Sequence, residues 1–286
     1  MMRTAWVIAL HTFKECRRRK VFIVIPLASV AFVVLYAVGN HFAFRSSGGV
    51  ANFDGDLVDG RALTGASLVG LSMFVALFLG SSLGIFLTFS SVRGDAETGV
   101  LQPLVVRPVA RSGVLLGRGI GAAVICVAYV AFLYSASVVT TGLIGDWWLT
   151  SFVAPGLHLG AAVVVVIALT LLGSVYLPAL PNGITLFMAY GAGLLGGLLG
   201  QLGEALASPT LETIGRTTSW ILPFQALYQA GLDSLTAGAT GITRVIVQLG
   251  PLGGAHDGGP FLLLWVAAYV LLVGAGALYA FSRRDL

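Results

Sequence analysis

The residue types that most often do chemistry are few in this chain, and they are scattered. His11, His41, His158 and His256 lie in different segments, and none has a cysteine or carboxylate partner at a spacing typical of a catalytic or metal site. The string GAGLLG at Gly191–Gly196 fits GxGxxG, but it lies inside an apolar run without the strand and acidic residue that a dinucleotide site needs. The sequence contains no GxxxxGK[ST] motif. We therefore expect no catalytic residue, no bound metal and no nucleotide site, so the chain is predicted not to be an enzyme.

The composition predicts a membrane protein. Hydrophobic residues make up 57% of the chain, charged residues 10%, and the mean hydropathy is +0.94. Soluble domains carry roughly 25% charged residues, so this chain has too few charges to cover a surface that faces water. Its basic residues flank apolar runs instead of forming aromatic-studded patches, which argues against a nucleic-acid partner. We predict one transmembrane domain over residues 1–286.

The apolar runs predict six membrane-spanning helices, because about 20 apolar residues in helical form cross a bilayer. The predicted spans are 21–40, 66–91, 115–141, 153–177, 183–202 and 261–281. The turn between the fourth and fifth spans is expected at Pro178–Gly183, where two prolines and an Asn-Gly pair occur together. The predicted fold class is therefore an all-α integral membrane protein.

The distribution of positive charge predicts the orientation, since Lys and Arg favour cytoplasmic loops. With the N-terminus inside, twelve of the 16 Lys and Arg residues are cytoplasmic, and the exceptions are Arg45, Arg61, Arg216 and Arg244. We expect a multi-pass plasma-membrane protein with both termini in the cytoplasm. Because the spans contain no firmly embedded ionisable residue, coupling to an ion gradient is disfavoured.

Three segments lie outside the predicted spans. Residues 1–20 form an amphipathic surface helix, either a membrane anchor or a docking surface for a partner, with Lys14, Glu15 and Arg18 on its polar face. Residues 92–114 form the longest cytoplasmic loop, with a short helix expected on the membrane surface. Residues 203–260 form an extracellular helical segment, with helical pieces predicted near Pro209–Arg216 and Ile221–Leu235.

Two residue patterns in the second half of the chain concern packing. Trp220, Phe224 and Tyr228 recur every four residues and share a face if Pro223 opens a helix. We interpret this stripe as packing or an interfacial aromatic belt, with a substrate path as the alternative. Small residues four apart allow close helix approach, and they occur in the fifth span at Gly193, Gly196, Gly197 and Gly200. This glycine face could also serve dimerisation.

Two segments resemble a known family. The stretch GDAETGVLQPLVVRPVARSGVLLGRGIG between the second and third spans looks like the corresponding loop in permease subunits of ABC type-2 exporters. The opening TFKECRRRKVF is similar to the entry into the first span in that family. The residues that match the loop pattern are Asp95, Glu97, Gly99, Leu101, Arg107, Pro108, Arg111, Leu116, Gly117, Arg118 and Gly121.

The resemblance implies an assembly in which two permease copies, expected to be a homodimer, pair with two separate ATPase subunits that bind ATP and Mg. The N-terminal helix and the 92–114 loop would dock onto the ATPases. The residues expected to couple the subunits are Asp95, Glu97, Thr98, Gly99, Leu101, Arg107, Pro108 and Arg111. The alternative is that these charges form a solvated loop surface.

The predicted function is ATP-driven export of a hydrophobic or amphipathic drug, lipid or peptide. A second possibility is a mechanotransmission subunit, which would pass ATP-driven motion to a partner outside the membrane without carrying a substrate. A membrane-embedded enzyme or scaffold is a third and weaker hypothesis, since a catalytic cluster is absent from the sequence. An exporter needs a continuous cavity, whereas a transmitter needs an exposed docking surface on the 203–260 segment.

Overall fold

The described chain consists of helices and one short β-hairpin. The structure, a computed structural model, describes residues 21–46, 50–53, 56–92, 111–149, 151–236, 256 and 258–283. The elements in chain order are α1 (Val21–Ser46), β1 (Val50–Phe53), β2 (Asp56–Asp59), α2 (Gly60–Thr88), α3 (Arg111–Gly145), α4 (Val153–Tyr176), α5 (Ala179–Ala205), α6 (Pro209–Ile221), α7 (Pro223–Thr236) and α8 (Leu262–Ser282).

Six of these helices, α1 to α5 and α8, are long and apolar enough to cross a membrane. The prediction of an all-α membrane protein with six spans is confirmed. The helices extend beyond several predicted ends, and α1 continues to Ser46 while α2 already begins at Gly60. A helix that emerges from the apolar layer keeps its own backbone hydrogen bonds, so its polar ends are not visible in a search for apolar runs.

The spans alternate in direction, which gives the bundle two sides. Arg118 near the start of α3 reaches Ser91 just after α2, whereas Trp147 after α3 covers Gly65 near the start of α2. We call the first end the proximal side and the second end the distal side. Proximal helix ends are Thr88, Arg111, Tyr176, Ala179 and Ser282, and distal ends are Ser46, Gly60, Gly145, Val153, Ala205 and Leu262.

The core of the bundle lies around α2 and α4, which are the most buried spans, whereas α1 and α8 are the most exposed. Met73 and Leu77 of α2 and Val163 and Val165 of α4 are fully buried in one hydrophobic cluster. A glycine allows α2 to approach both neighbouring helices closely, since a Cβ on Gly80 would collide with Val130 of α3 and lie 3.3 Å from Val163 of α4. The central helices therefore form a densely packed unit, and α1 and α8 present large apolar surfaces.

Two hydroxyl pairs attach α1 to the bundle. Ser29 is hydrogen-bonded to Tyr129, and Tyr36 is hydrogen-bonded to Thr141 at 2.7 Å, so both pairs join α1 to α3. In a membrane, helix association depends on packing and such interhelical hydrogen bonds because lipid is as apolar as the side chains. These pairs fix the register between α1 and α3.

The turn between α4 and α5 is shorter than predicted. The helices end at Tyr176 and restart at Ala179, so Pro178 belongs to the turn while Pro181 and Gly183 already lie in α5. The expectation of a turn over Pro178–Gly183 was wrong in its second half. Pro181 falls in the first turn of α5, where backbone N–H groups have no intrahelical partner, so its missing N–H costs nothing there.

The β-hairpin was not predicted. Its two strands pair antiparallel between α1 and α2, with Val50 opposite Asp59 and Phe53 opposite Asp56. Strands of four residues are too short to leave an alternating apolar pattern that stands out between two membrane spans. The hairpin is a small distal addition to the all-α architecture.

Candidate functional site

The most distinctive feature of the distal half is that α6 folds back along α5. A Cβ on Gly203 would meet the backbone of Glu212, and a Cβ on Gly200 would lie 3.4 Å from Cα of Gly215. One turn deeper, Gly196 faces Thr218. Residue numbers fall along α5 as they rise along α6, so the two helices are antiparallel and their backbones touch at the glycines.

The return helix α7 is inserted into the bundle. Phe224, in its first turn, lies against Gly193, which is about 18 Å along α5 from Ala205 at 1.5 Å per residue. Farther along α7, Gly231 contacts Met73 of α2 and Pro155 near the distal start of α4. The helices α6 and α7 therefore form a re-entrant hairpin, which descends from the distal side and returns to it. The sequence predicted an extracellular helical segment over 203–260, and the structure packs two helices of that segment, α6 and α7, into the distal half of the bundle.

The structure separates the three aromatic residues of the predicted stripe. Phe224 stacks on Tyr190 with ring centroids 5.0 Å apart, and Tyr228 donates a hydrogen bond to the Gly70 carbonyl at 3.3 Å. Trp220 belongs to α6 and is 56% exposed, with its ring 5.1 Å from that of Trp265. The expectation that the three share one face was wrong, because Pro223 starts a new helix with a different direction.

The four predicted packing glycines lie against the re-entrant hairpin. Gly193 faces Phe224, Gly196 faces Thr218, Gly197 faces Gln225 and Gly200 faces Gly215. A side chain at Gly193, Gly196 or Gly197 would overlap atoms of α6 or α7. Because this face is covered within one chain, it is not free to bind a second copy in the described conformation.

Two buried polar side chains, Gln225 and Tyr190, lie near the apex of the hairpin. Gln225 is fully buried, and within the described residues neither atom of its side-chain amide has a hydrogen-bond partner. The buried Tyr190 hydroxyl also has no hydrogen-bond partner among the described residues. Leaving a buried donor or acceptor unpaired costs about 1–3 kcal/mol. The apex therefore combines close backbone packing with polar groups that have unused hydrogen-bonding capacity.

At the proximal side, two side chains hold the end of α2. Asn182 of α5 is fully buried and donates from Nδ2 to the Phe89 carbonyl at 3.0 Å and to the Thr170 carbonyl at 3.1 Å. Arg118 of α3 donates to the Ser91 carbonyl at 2.7 Å. We call Asn182 and Arg118, with the carbonyls of Phe89 and Ser91, the proximal clamp. The sequence identified Arg118 through the loop pattern but missed Asn182, which was assigned to a turn.

Most of the residues predicted to couple to a partner lie outside the described part of the chain. Arg111 is the first residue of α3, so this helix begins inside the segment predicted as the 92–114 loop. The others in the loop are Asp95, Glu97, Thr98, Gly99, Leu101, Arg107 and Pro108, and those in the N-terminal segment are Lys14, Glu15 and Arg18. The described residues place both ends of this loop at the proximal side, because α2 ends there and α3 begins there.

The histidines that the structure describes occupy separate places. The Nδ1 atom of His158 lies 2.8 Å from the Ala154 carbonyl in its own helix, and His256 lies 3.9 Å from Glu204 with both side chains largely exposed. Among the described residues, no group of three or more His, Cys, Asp or Glu is placed to hold a metal ion. The described geometry thus consists of membrane spans, a re-entrant hairpin and a proximal clamp.

This geometry defines the class of protein: a multi-pass α-helical membrane protein in which the loop between the second and third spans connects to a clamped helix end. The sequence model of a family described as ABC-2 family transporter protein matches residues 6–286. The chain therefore belongs to the ABC-2 transporter family, as a membrane component of such a transporter. Comparison with curated proteins finds no match.

Proposed function

We propose that this chain is the permease subunit of an ATP-driven exporter and that separate ATPase subunits supply the energy. In this proposal the proximal side faces the cytoplasm, as the distribution of Lys and Arg suggests. Two permease copies, identical in the simplest assembly, pair with two ATPases that bind ATP and Mg. The substrate is a hydrophobic or amphipathic compound that moves outward.

The observation that carries the proposal is the arrangement at the two ends of the 92–114 loop. The loop connects α2 to α3, and Arg118 joins these helices by its hydrogen bond to Ser91. Helices packed as closely as α2, α3 and α4 move as rigid bodies, so a push on the loop displaces spans instead of being absorbed locally. Family membership supports a role in transport. The loop between α2 and α3 is held at both ends, which supports the proposal that a separate ATPase subunit moves it.

Within the loop, we propose that Glu97 contacts the ATPase while Arg107 and Arg111 fix the loop at the ATPase or lipid surface. The test is Glu97→Lys in the assembled complex. Reversing one interfacial charge replaces an attraction with a repulsion, so ATP hydrolysis should continue while transport is lost and the complex still assembles. If the complex that carries Glu97→Lys transports at the rate of the unsubstituted protein, the proposed contact between Glu97 and the ATPase is contradicted.

Transport itself is tested by efflux from cells that produce the chain with its ATPase subunits. A panel of fluorescent amphipathic compounds and labelled phospholipids is loaded, and ATP-dependent loss of each is followed against cells with a hydrolysis-deficient ATPase. Efflux of at least one compound supports the exporter. ATP-dependent motion of the distal hairpin with no compound moved would instead favour mechanotransmission to a partner outside the membrane.

A further inference from the structure

We infer that Asn182 and Arg118 are positioning residues that carry a displacement of the 92–114 loop into α5 and the re-entrant hairpin. The inference rests on the proposed function, in which an ATPase partner moves that loop. Its basis is the proximal clamp, where side chains from α3 and α5 hold the main chain that leads from α2 into the loop.

Asn182 joins three helices through a single amide. Its Nδ2 carries two hydrogens, which match the two carbonyls it reaches, Phe89 after α2 and Thr170 in α4. The Phe89 carbonyl follows the last residue of α2, and carbonyls at such a helix end have no partner within the helix. The amide therefore satisfies an orphan acceptor and fixes where the exit from α2 lies relative to α4 and α5.

The position of this amide is set by its surroundings. A Cβ on Gly173 of α4 would overlap Oδ1 of Asn182, so the glycine provides the space that the amide occupies. The ring of Phe86, near the end of α2, also lies 5.9 Å from that of Phe187 in α5. Polar and aromatic contacts thus fix the proximal end of α2 to the first turns of α5.

Arg118 joins the two ends of the loop to each other. Its guanidinium, from the second turn of α3, donates to the Ser91 carbonyl at 2.7 Å just beyond the C-terminus of α2. A positive charge at this point also complements the negative end of the α2 dipole. Because both ends are held, the loop displaces α2 and α3 together.

The route to the distal side follows α5. Asn182 lies in its first turn, and the glycines from Gly193 to Gly203 hold α6 and α7 against its distal half. A helix transmits displacement along its length because it is stiff, and close backbone contact moves the attached element with it. Motion of the loop would therefore reach the re-entrant hairpin through the clamp and α5.

The test is hydrogen exchange, read by mass spectrometry, on the permease–ATPase complex in lipid nanodiscs with and without ATP and vanadate. In the unsubstituted protein, exchange should change in peptides covering 86–92 and in those covering 206–222. With Asn182→Leu, the proximal change should remain while the distal change falls about tenfold. Gly173→Ala displaces the amide without removing it and should act in the same way.

The matched control is Gly191→Ala, a change of the same kind in α5 at a position with no atom within 4 Å. It should respond as the unsubstituted protein does. Arg118→Lys keeps a charged donor and should retain the distal response, whereas Arg118→Met should lose it. A purely structural role would lower the stability of these variants without separating the proximal from the distal change.

The outcomes separate the two proposals. A distal change that persists in both Asn182→Leu and Gly173→Ala would overturn the clamp inference. Absence of any ATP-dependent change in the unsubstituted complex would contradict the proposed function itself. If Asn182→Leu fails to assemble, the comparison of Gly173→Ala with Gly191→Ala decides the matter.

Discussion

At the scale of single residues, the aromatic and polar side chains of the re-entrant hairpin have different roles. Phe224 and Tyr228 are packed within the bundle, and Trp220 lies on the exposed side of α6. The sequence period of four suggested one surface, yet the change of helix at Pro223 divides it into two. The environments of these residues, more than their spacing, determine the effect of replacing them.

Replacement of Phe224 by alanine should destabilise the protein more than replacement of Trp220. Phe224→Ala removes a buried ring stacked on Tyr190 and leaves a cavity between α5 and α7, at a cost on the order of 3–5 kcal/mol. Trp220→Ala removes a ring that is more than half exposed. The thermal midpoint in detergent, measured by intrinsic fluorescence, should fall clearly for the first variant and less for the second. Equal losses would contradict the assigned positions.

Replacement of Gln225 should raise the stability of the protein, whereas replacement of Phe224 lowers it. The Gln225 amide is buried without hydrogen-bond partners in the described part of the chain, so Gln225→Leu should raise the stability by about 1–2 kcal/mol. The same thermal measurement checks this, with Gln201→Leu as a control because Gln201 is only partly buried. A lower midpoint for Gln225→Leu would mean that the amide is paired in the assembled protein.

At the scale of elements, the contact between α5 and α6 determines where the hairpin lies. The two helices meet backbone to backbone at Gly200 and Gly215, a distance that only glycine permits. Helix α6 carries a charged residue, Glu212, in its first turn, yet the hairpin reaches Gly193 in α5. The contact between the two helices explains this depth. The helical pieces near 209–216 and 221–235 were predictable from Pro209 and Pro223, but the depth depends on contacts between distant residues.

Enlarging Gly215 tests this contact. Gly215→Val places two methyl groups against the backbone of Gly200 and should separate the helices, at a cost of about 1–3 kcal/mol from overpacking. Gly274→Val in α8, where no atom lies within 4 Å, is the matched control. Size-exclusion chromatography after mild heating should show aggregation of the first variant at a lower temperature. If both variants behave alike, α5 and α6 do not meet at these glycines.

At the scale of the whole molecule, the six spans could be predicted because each is an apolar run of sufficient length. The β-hairpin and the role of Asn182 could not, since both depend on contacts made across the fold and leave no local pattern. The Asn-Gly pair at 182–183 reads as turn chemistry, although Asn182 is buried in a helix where it binds two carbonyls. Local propensity was overridden there by tertiary contacts.

The orientation of the bundle gives a prediction at this scale. Leu206, which follows α5 on the distal side, is 68% exposed, and Leu206→Cys should react with a membrane-impermeant maleimide in intact cells. A cysteine in place of Arg283, which follows α8 on the proximal side, should react only after permeabilisation. Cys16→Ser removes a background thiol, and Cys126 is buried. The reverse labelling pattern would invert the proposed orientation.

The most direct test of the central claim, that a separate ATPase drives this chain, is co-purification in detergent with candidate ATPase subunits encoded beside its gene. ATP hydrolysis is then measured with and without the permease. We predict a stable complex whose hydrolysis rate differs from that of the free ATPase and changes again with Glu97→Lys. No association with any candidate ATPase, or a rate indifferent to the permease, would contradict the claim.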